Sequence, residues 1–124
     1  MTLNTGIDMI EIKRIEHSMQ NKGFIKRVFS QEEQVLLDGR FGSASIQTAA
    51  ANFAAKEAFA KAMGSGISGF ALNEVSLLRD ELGKPYYVFD GAALELVNKN
   101  GFTFSVSVTH TKEYAAAVAV AYTE

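Results

Sequence analysis

The chain has 124 residues, 48% of them apolar, a net charge of −2 and no cysteine, which fits a single domain over 1–124 with one core. Without cysteine, a disulfide scaffold, a thiolate metal site and a thiol nucleophile are excluded, and so small a net charge gives no bulk attraction for nucleic acid. No apolar run reaches the roughly 18 residues of a membrane span, and the opening MTLNTGIDMIEIKR lacks the basic head and apolar stretch of a secretory signal, so a soluble cytoplasmic protein is expected.

Residues 3–12, LNTGIDMIEI, are rich in β-branched and apolar side chains and predict an opening strand. A helical pattern takes over near Glu11, with Ile12, Ile15 and Met19 at i, i+3 and i+7, and Gly23 interrupts it. SQEE at 30–33 is a capping-box signature, Ser30 at the cap and Glu33 three residues on, and it starts a short helix ending near Gly39. RFGSASIQ at 40–47 reads as loop. A long helix then runs from about Ser45 to Met63 and stops at Gly64 and Gly66. Residues 74–89 read as strand, turn, strand, with Pro85 tolerable only at a strand start or edge. Residues 91–101 predict a helix ended by Gly101. FTFSVSVTH (102–110) alternates as a strand, and YAAAVAVAY (114–122) alternates valine with alanine and pairs with it as a hairpin. The fold class is α+β, a largely antiparallel sheet packed with helices.

GSGISG at 64–69 matches G-x-G-x-x-G, but a helix precedes it and strand-like sequence follows, the reverse of a dinucleotide site. These glycines read as a helix end. A helix C-terminus carries partial negative charge, so phosphate there needs a lysine and loose backbone N–H groups. Glu57, Lys61 and Ser65 fall on one helical face. As a surface pair, Glu57 and Lys61 contribute about 0.3–0.5 kcal/mol. However, Phe53, Ala54, Ala58, Phe59 and Ala62 surround them. A helix so apolar is buried on most sides, and a largely buried carboxylate needs a partner or a metal. Asp8 lies in an apolar strand, against β propensity. It is either a strand-end acid facing water or a second carboxylate for a hard cation; two carboxylates, phosphate oxygens and waters are how Mg²⁺ is usually held. His110 ends a strand beside a turn, and no metal or triad spacing joins it to His17. Residues 13–27 carry Lys13, Arg14, Lys22, Lys26 and Arg27 against the single acid Glu16. That is an ordinary solvated face or a docking surface for an acidic partner.

Four stretches, GIDMIEIKRI (6–15), FAAKEAFAKAMGSGI (53–67), LGKPY (82–86) and SVTHTKEYAAAVAV (107–120), occur in an order and spacing that resemble the small bacterial 4′-phosphopantetheinyl transferases. The resemblance spans essentially the whole chain. It implies transfer of the phosphopantetheine arm of coenzyme A to a serine of an acyl carrier protein, with release of adenosine 3′,5′-bisphosphate, in support of fatty acid biosynthesis. By the same resemblance Asp8 and Glu57 match the metal-binding acids, for Mg²⁺, and with Lys61 form the catalytic set. Lys61, Gly64, Ser65, Gly66, His110 and Thr111 match coenzyme A contacts. The resemblance carries Arg14 over as a carrier-protein contact, and the basic neighbours Lys13, Lys22 and Lys26 extend that surface. A homotrimer with the coenzyme between subunits is implied, with no nucleic-acid or membrane partner. The serine's general base stays open between the two carboxylates and a polarised water. One position departs: the family commonly has an arginine just before FAAKEA, and here it is Asn52. If that arginine supports a phosphate, one charge-assisted contact is lost, although Asn52 can still donate a hydrogen bond. A non-catalytic coenzyme-binding module and a small assembly domain are the rival readings.

Overall fold

The computed structural model describes residues 1–38 and 43–124. Strands β1 (Leu3–Glu11), β4 (Thr103–His110) and β5 (Tyr114–Tyr122) form an antiparallel sheet in the order β1-β5-β4, while β2 (Val75–Arg79) and β3 (Pro85–Phe89) pair as a separate antiparallel ribbon. The expected hairpin of 102–110 with 114–122 is present, and Pro85 opens its strand. Around the sheets lie α1 (Ile12–Ser18), α2 (Lys22–Val28), α3 (Gln31–Asp38), α4 (Ser43–Met63) and α5 (Gly91–Asn100). Helix α5 ends on Gly101 in the left-handed region, φ +67°, as expected.

Two boundaries differ from expectation. Helix α4 begins at Ser43, two residues before its expected start near Ser45 and inside the stretch read as loop; the expected helix end at Gly39 and residues 40–42 of the loop lie outside the described residues. Gly23 does not break a helix but sits inside α2. The break falls just before it, where the Asn21 side chain accepts from the N–H groups of Gly23 and Phe24 at 2.8 and 3.2 Å. An N-cap bond of this kind, worth about 1 kcal/mol, offsets the similar cost of one glycine in the first turn.

The two-residue period of the strands gives the three-stranded sheet two different faces. On the inner face Ala115, Ala117, Ala119 and Ala121 are buried beneath α4. These small side chains allow close approach, and Gly6 shows how close. A Cβ there would lie 1.9 Å from the Ala58 carbonyl oxygen, inside any tolerable contact. On the outer face Ile7 pairs with Val118 and Met9 with Ala116, and Ile7, Met9, Tyr114 and Val118 are exposed. A second core gathers Phe59 of α4 with the rings of Phe70, Tyr87, Phe89 and Phe104, at 5.0–5.8 Å between centroids.

Inside α4, Lys56 and Asn52 are fully buried, as is Glu33 on α3. The Glu33 carboxylate lies 2.6 Å from Lys56 Nζ. It also accepts from Asn52 Nδ2 at 2.8 Å, from the Leu77 N–H at 3.3 Å and from the Ser30 N–H at 3.0 Å. The Ser30 hydroxyl accepts the Glu33 N–H in return, completing the expected capping box. Lys56 donates as well to the carbonyls of Leu72 and Val75, so its three donors all have acceptors. Burial pulls Lys56 below its ordinary value and Glu33 opposes that shift. Removing one partner of such a pair strands a buried charge, which costs about 3–5 kcal/mol. Lys56→Met should therefore lower stability by about that amount in urea unfolding. Lys56→Met with Glu33→Gln should cost less than the sum of the single changes, because the stranded charge is gone. A neutral Lys56→Met would contradict this account.

Candidate active site

Asp8 projects from the inner face of β1, two residues beyond Gly6, toward the C-terminal half of α4. Lys61 on α4 reaches across. Its Nζ donates to the Ile7 carbonyl at 2.9 Å and lies 3.5 Å from Asp8 Oδ1. Glu57, one turn earlier on α4, shares this environment. Partial burial raises its carboxyl above the ordinary value, the charge of Asp8 raises it further, and Lys61 acts the other way. Two acids and one amine are thus close enough to feel each other's charge. Glu57 is half-buried rather than largely buried, and the Lys61 side chain is 54% exposed. Core helix and open site meet here, because α4 is covered by the sheet on one side and ends in solvent.

Helix α4 stops at Met63, so Ser65 lies past the helix and does not continue the Glu57–Lys61 face. Gly64 and Gly66 take φ values of +85° and +65°, and nothing lies within 4 Å of where a Cβ would stand on either. Glycine is favoured at both by backbone conformation. The open space leaves the Lys61 end of the helix unobstructed.

His110 closes β4 on the inner face, opposite Ala115. Thr111 forms the turn into β5; its hydroxyl accepts the N–H groups of Tyr114 at 3.0 Å and Glu113 at 3.3 Å. Strand β5 separates β1 from β4, so Asp8 and Val108 flank Ala117, about 10 Å apart at two strand spacings. One chain therefore assembles Asp8, Glu57 and Lys61, with the glycine turn next to them, but holds His110 and Thr111 apart from that cluster. Lys13 and Arg14 on α1, and Lys22 and Lys26 on α2, are all exposed, with Ile12, Ile15 and Val28 turned into the core beneath them.

The expectation for Asn52 needs correcting. Its side chain is buried, Nδ2 is committed to Glu33 and to the Leu77 carbonyl at 3.1 Å, and Oδ1 accepts from Arg79 Nη1 at 2.9 Å. It is a link in a buried network, not a donor held out to a ligand. Sequence reading also passed over Lys56 and Arg79. For Lys56 the available signal is its spacing of i, i+4 from Asn52 amid alanine and phenylalanine, where two buried polar groups demand a shared partner. Arg79 carries no comparable local signal.

The two carboxylates fit a divalent cation, since their mutual repulsion is what such an ion relieves; among the described residues no cluster of three or more His, Asp or Glu side chains forms an all-protein cage. That pattern suits Mg²⁺, which keeps waters and shares its shell with substrate phosphates. No helix among the described residues is long and apolar enough to cross a membrane.

The family model of the 4′-phosphopantetheinyl transferase superfamily matches residues 4–119. A holo-[acyl-carrier-protein] synthase of Treponema denticola is 39% identical over 122 residues, covering 97% of this chain and 98% of that protein. One from Lachnoclostridium phytofermentans is 39% identical over 121 residues, covering 97% and 95%. Among solved structures, the Bacillus anthracis synthase in complex with CoA (3′,5′-ADP) superposes with a TM-score of 0.84 at 30% identity, covering 98% of this chain and 96% of that one. The Neisseria meningitidis synthase gives 0.87 at 28% identity, covering 96% and 97%. With full-length agreement in sequence and in fold, this chain belongs to the 4′-phosphopantetheinyl transferase superfamily and is an enzyme of its holo-[acyl-carrier-protein] synthase branch.

Proposed function

We propose that this enzyme transfers the 4′-phosphopantetheine arm of coenzyme A to a serine of an apo-acyl carrier protein in the cytoplasm, supporting fatty acid biosynthesis, with Mg²⁺ as cofactor. The observation that carries the proposal is the cluster of Asp8, Glu57 and Lys61, held between β1 and the end of α4 beside a turn without side-chain obstruction. Asp8 and Glu57 would hold the Mg²⁺, which supplies Lewis-acid polarisation of the coenzyme's diphosphate when bound. The serine oxygen forms a bond to the phosphorus carrying pantetheine, and the bond from that phosphorus to the bridging oxygen breaks. Adenosine 3′,5′-bisphosphate leaves with the electron pair. Lys61 offsets negative charge on the phosphates, in a reaction where positioning and electrostatics supply most of the catalysis. Glu57 accepts the serine proton, directly or through water.

Gly64, Ser65 and Gly66 let the nucleotide approach closely at the helix end. Lys13, Arg14, Lys22 and Lys26, all basic and exposed, orient the acidic carrier protein. The separation of His110 and Thr111 from the acids within one chain supports a site shared between copies, with His110 and Thr111 of a neighbour completing it. The apolar outer face of the β1-β5-β4 sheet, with Ile7 68% and Met9 66% exposed, supports the same arrangement as a homotrimer, since contiguous apolar surface marks association sites.

Incubated with coenzyme A, Mg²⁺ and an apo-carrier protein, the enzyme should add the mass of one phosphopantetheine arm to the carrier. Glu57→Gln should slow this by about 10²–10⁴-fold; transfer near the wild-type rate at saturating Mg²⁺ would remove Glu57 as base. A second outcome follows from the charges around that group. A carboxyl raised in the folded state binds its proton more tightly there than in the unfolded chain. Through Glu57 the fold is therefore relatively favoured at low pH, and this contribution is lost as pH rises through the raised pKa. Asp8→Asn removes one of the raising charges, so a proton titration followed by NMR in the metal-free protein should show Glu57 ionising at lower pH than in wild type. An unchanged titration would separate the two acids. Ile7→Asp, placing a charge in the apolar outer face, should shift the protein to monomer in sedimentation and depress transfer with it.

A further inference from the structure

The segment between α4 and β2 carries glycines at 64, 66 and 69, all at positive φ, +85°, +65° and +85°. Glycine has more conformations to lose than any other residue, so such a segment is held by its anchors and not by its own backbone. Among the described residues no hydrogen bond ties 65–68 to another element; the Ser68 N–H donates within the segment, to the Gly66 carbonyl at 2.9 Å. The anchors come after it. Phe70 sets its ring edge-on to Phe59 of α4 at 5.3 Å. Gly69 lies against α5, where a Cβ would stand 3.7 Å from Leu96 Cδ1. The Ala71 N–H donates to Glu74 Oε1 at 2.8 Å, and the Glu74 N–H returns a bond to the Ala71 carbonyl at 3.0 Å. Glu74 ends a 3₁₀ turn, Leu72–Glu74. Its second oxygen, Oε2, accepts the Ala92 N–H in the first turn of α5 at 2.9 Å. One carboxylate thus joins the end of the glycine segment to the start of the helix that Gly69 touches. Gly91 is fitted to that carboxylate. A Cβ on Gly91 would stand 1.9 Å from Glu74 Oε2, and Gly91 has φ +53°. Glycine is needed there both for its conformation and for the space the oxygen takes. Asp90 already caps α5 through the Gly91 N–H at 2.8 Å, so the helix does not need Glu74 in order to start.

We infer that Glu74, admitted by Gly91, is a positioning residue for the glycine turn: it holds residues 64–71 in the conformation that leaves the Lys61 end of α4 open to the coenzyme's nucleotide. The inference rests on the function proposed above, and it does not ask Glu74 to touch substrate. A carboxylate suits the task because it has two acceptor oxygens and no donor, and both of its partners are N–H groups. A carboxamide would satisfy one of them and turn its own N–H groups toward the other. The partial positive charge at the start of α5 favours the negative side chain as well. Without the carboxylate, the Ala71 N–H loses its acceptor and the segment spreads over more conformations. Only a fraction of molecules then holds the open turn, and the apparent affinity for nucleotide falls by that fraction. Asp8, Glu57 and Lys61 are placed by β1 and α4, and the basic residues by α1 and α2, so the chemical step and the carrier surface do not depend on this link.

The test measures steady-state transfer and, separately, calorimetric binding of adenosine 3′,5′-bisphosphate without carrier, in wild type, Glu74→Gln, Glu74→Ala and Gly91→Ala. Glu74→Ala should raise the KM for coenzyme A and the Kd for the bisphosphate about 10-fold, the scale of one hydrogen bond, with kcat and the KM for carrier protein little changed. Glu74→Gln, which keeps one acceptor, should fall between. Gly91→Ala displaces the carboxylate and should act like Glu74→Ala. Added to Glu74→Ala, it should leave the Kd where the single change put it, since no carboxylate remains to displace. A merely structural role would lower the melting temperature and, through a smaller folded fraction, kcat, while leaving KM and Kd alone; that result overturns the inference. So does a Gly91→Ala effect on Kd that adds in full to that of Glu74→Ala. Amide exchange in wild type reads the same link without any substitution. The bisphosphate should slow exchange at Ala71 and Ala92 together, because ordering the turn and closing the link are one equilibrium. Unchanged exchange at Ala71 overturns the inference even if no variant at 74 folds. If wild type transfers no phosphopantetheine but binds the bisphosphate, and Glu74→Ala weakens that binding, the functional proposal fails and the positioning role stands. If Glu74→Ala binds the bisphosphate as wild type does, the positioning role fails whatever the transfer assay gives. A wild type that does not bind the bisphosphate overturns both.

Discussion

The buried pairing of Lys56 with Glu33 is the constraint on which the other features depend, because it sets how α4 is rotated about its own axis. An apolar helix of alanine and phenylalanine offers many nearly equivalent ways to lie on an alanine-lined sheet. Lys56 removes that freedom. Its ammonium reaches one carboxylate and two carbonyls at the start of β2, and the observed rotation satisfies all three. The next residue, Glu57, is then turned about 100° round the helix, toward β1 and Asp8. Lys61 follows one turn on, above the same strand. Replacing buried ion pairs by apolar side chains is often neutral or stabilising. What this pair adds is register: it positions two site residues without either of them taking part in it.

Gly6 is the complementary constraint on the other partner. The helix lies against β1 closely enough that its Ala58 carbonyl occupies the place of a Cβ. Asp8 is two residues along the same strand and face, so the distance from Asp8 to α4 is fixed by a contact that only glycine permits. The alternation of β5 serves both sides of the sheet. Its alanines give α4 a smooth floor, and Val118 with Tyr114 faces outward. One strand thus meets the requirements of a tight helix contact and of an apolar outer surface.

Much of this was legible in the sequence, for identifiable reasons. The hairpin of β4 and β5, the ribbon of β2 and β3 around Gly83 and Pro85, and the Ser30–Glu33 capping box are local patterns, and local patterns appear in sequence directly. The onset of α4 was placed two residues late because the serines around 43–45 resemble loop composition, although serine is also common at helix starts. Gly23 misled because propensity was weighed without the Asn21 cap beside it. Glu57 was expected to be largely buried because its neighbours are apolar, but burial depends on where the covering sheet ends. The second use of Glu33, as counter-ion to Lys56, was beyond reach. It joins residues 23 apart in sequence, and the capping box already accounted for the glutamate. Coupling between Asp8 and Glu57 joins residues still farther apart, and there the four-stretch resemblance supplied what spacing alone could not.

Asn52 shows what the buried network accepts at its edge. Glu33 already has a full counter-charge in Lys56 and accepts two backbone N–H groups besides. A second cation buried at position 52 would have to lose its hydration beside a carboxylate that needs no further charge, which is costly in a low-dielectric interior. A carboxamide avoids that cost. It is neutral, it donates both N–H bonds inward to Glu33 and Leu77, and it leaves one oxygen facing Arg79. The positive charge then stands on β2, half-buried rather than fully buried in the core. In this chain the asparagine is therefore not a lost arginine. It is the neutral joint between the buried Glu33–Lys56 pair and the Arg79 guanidinium.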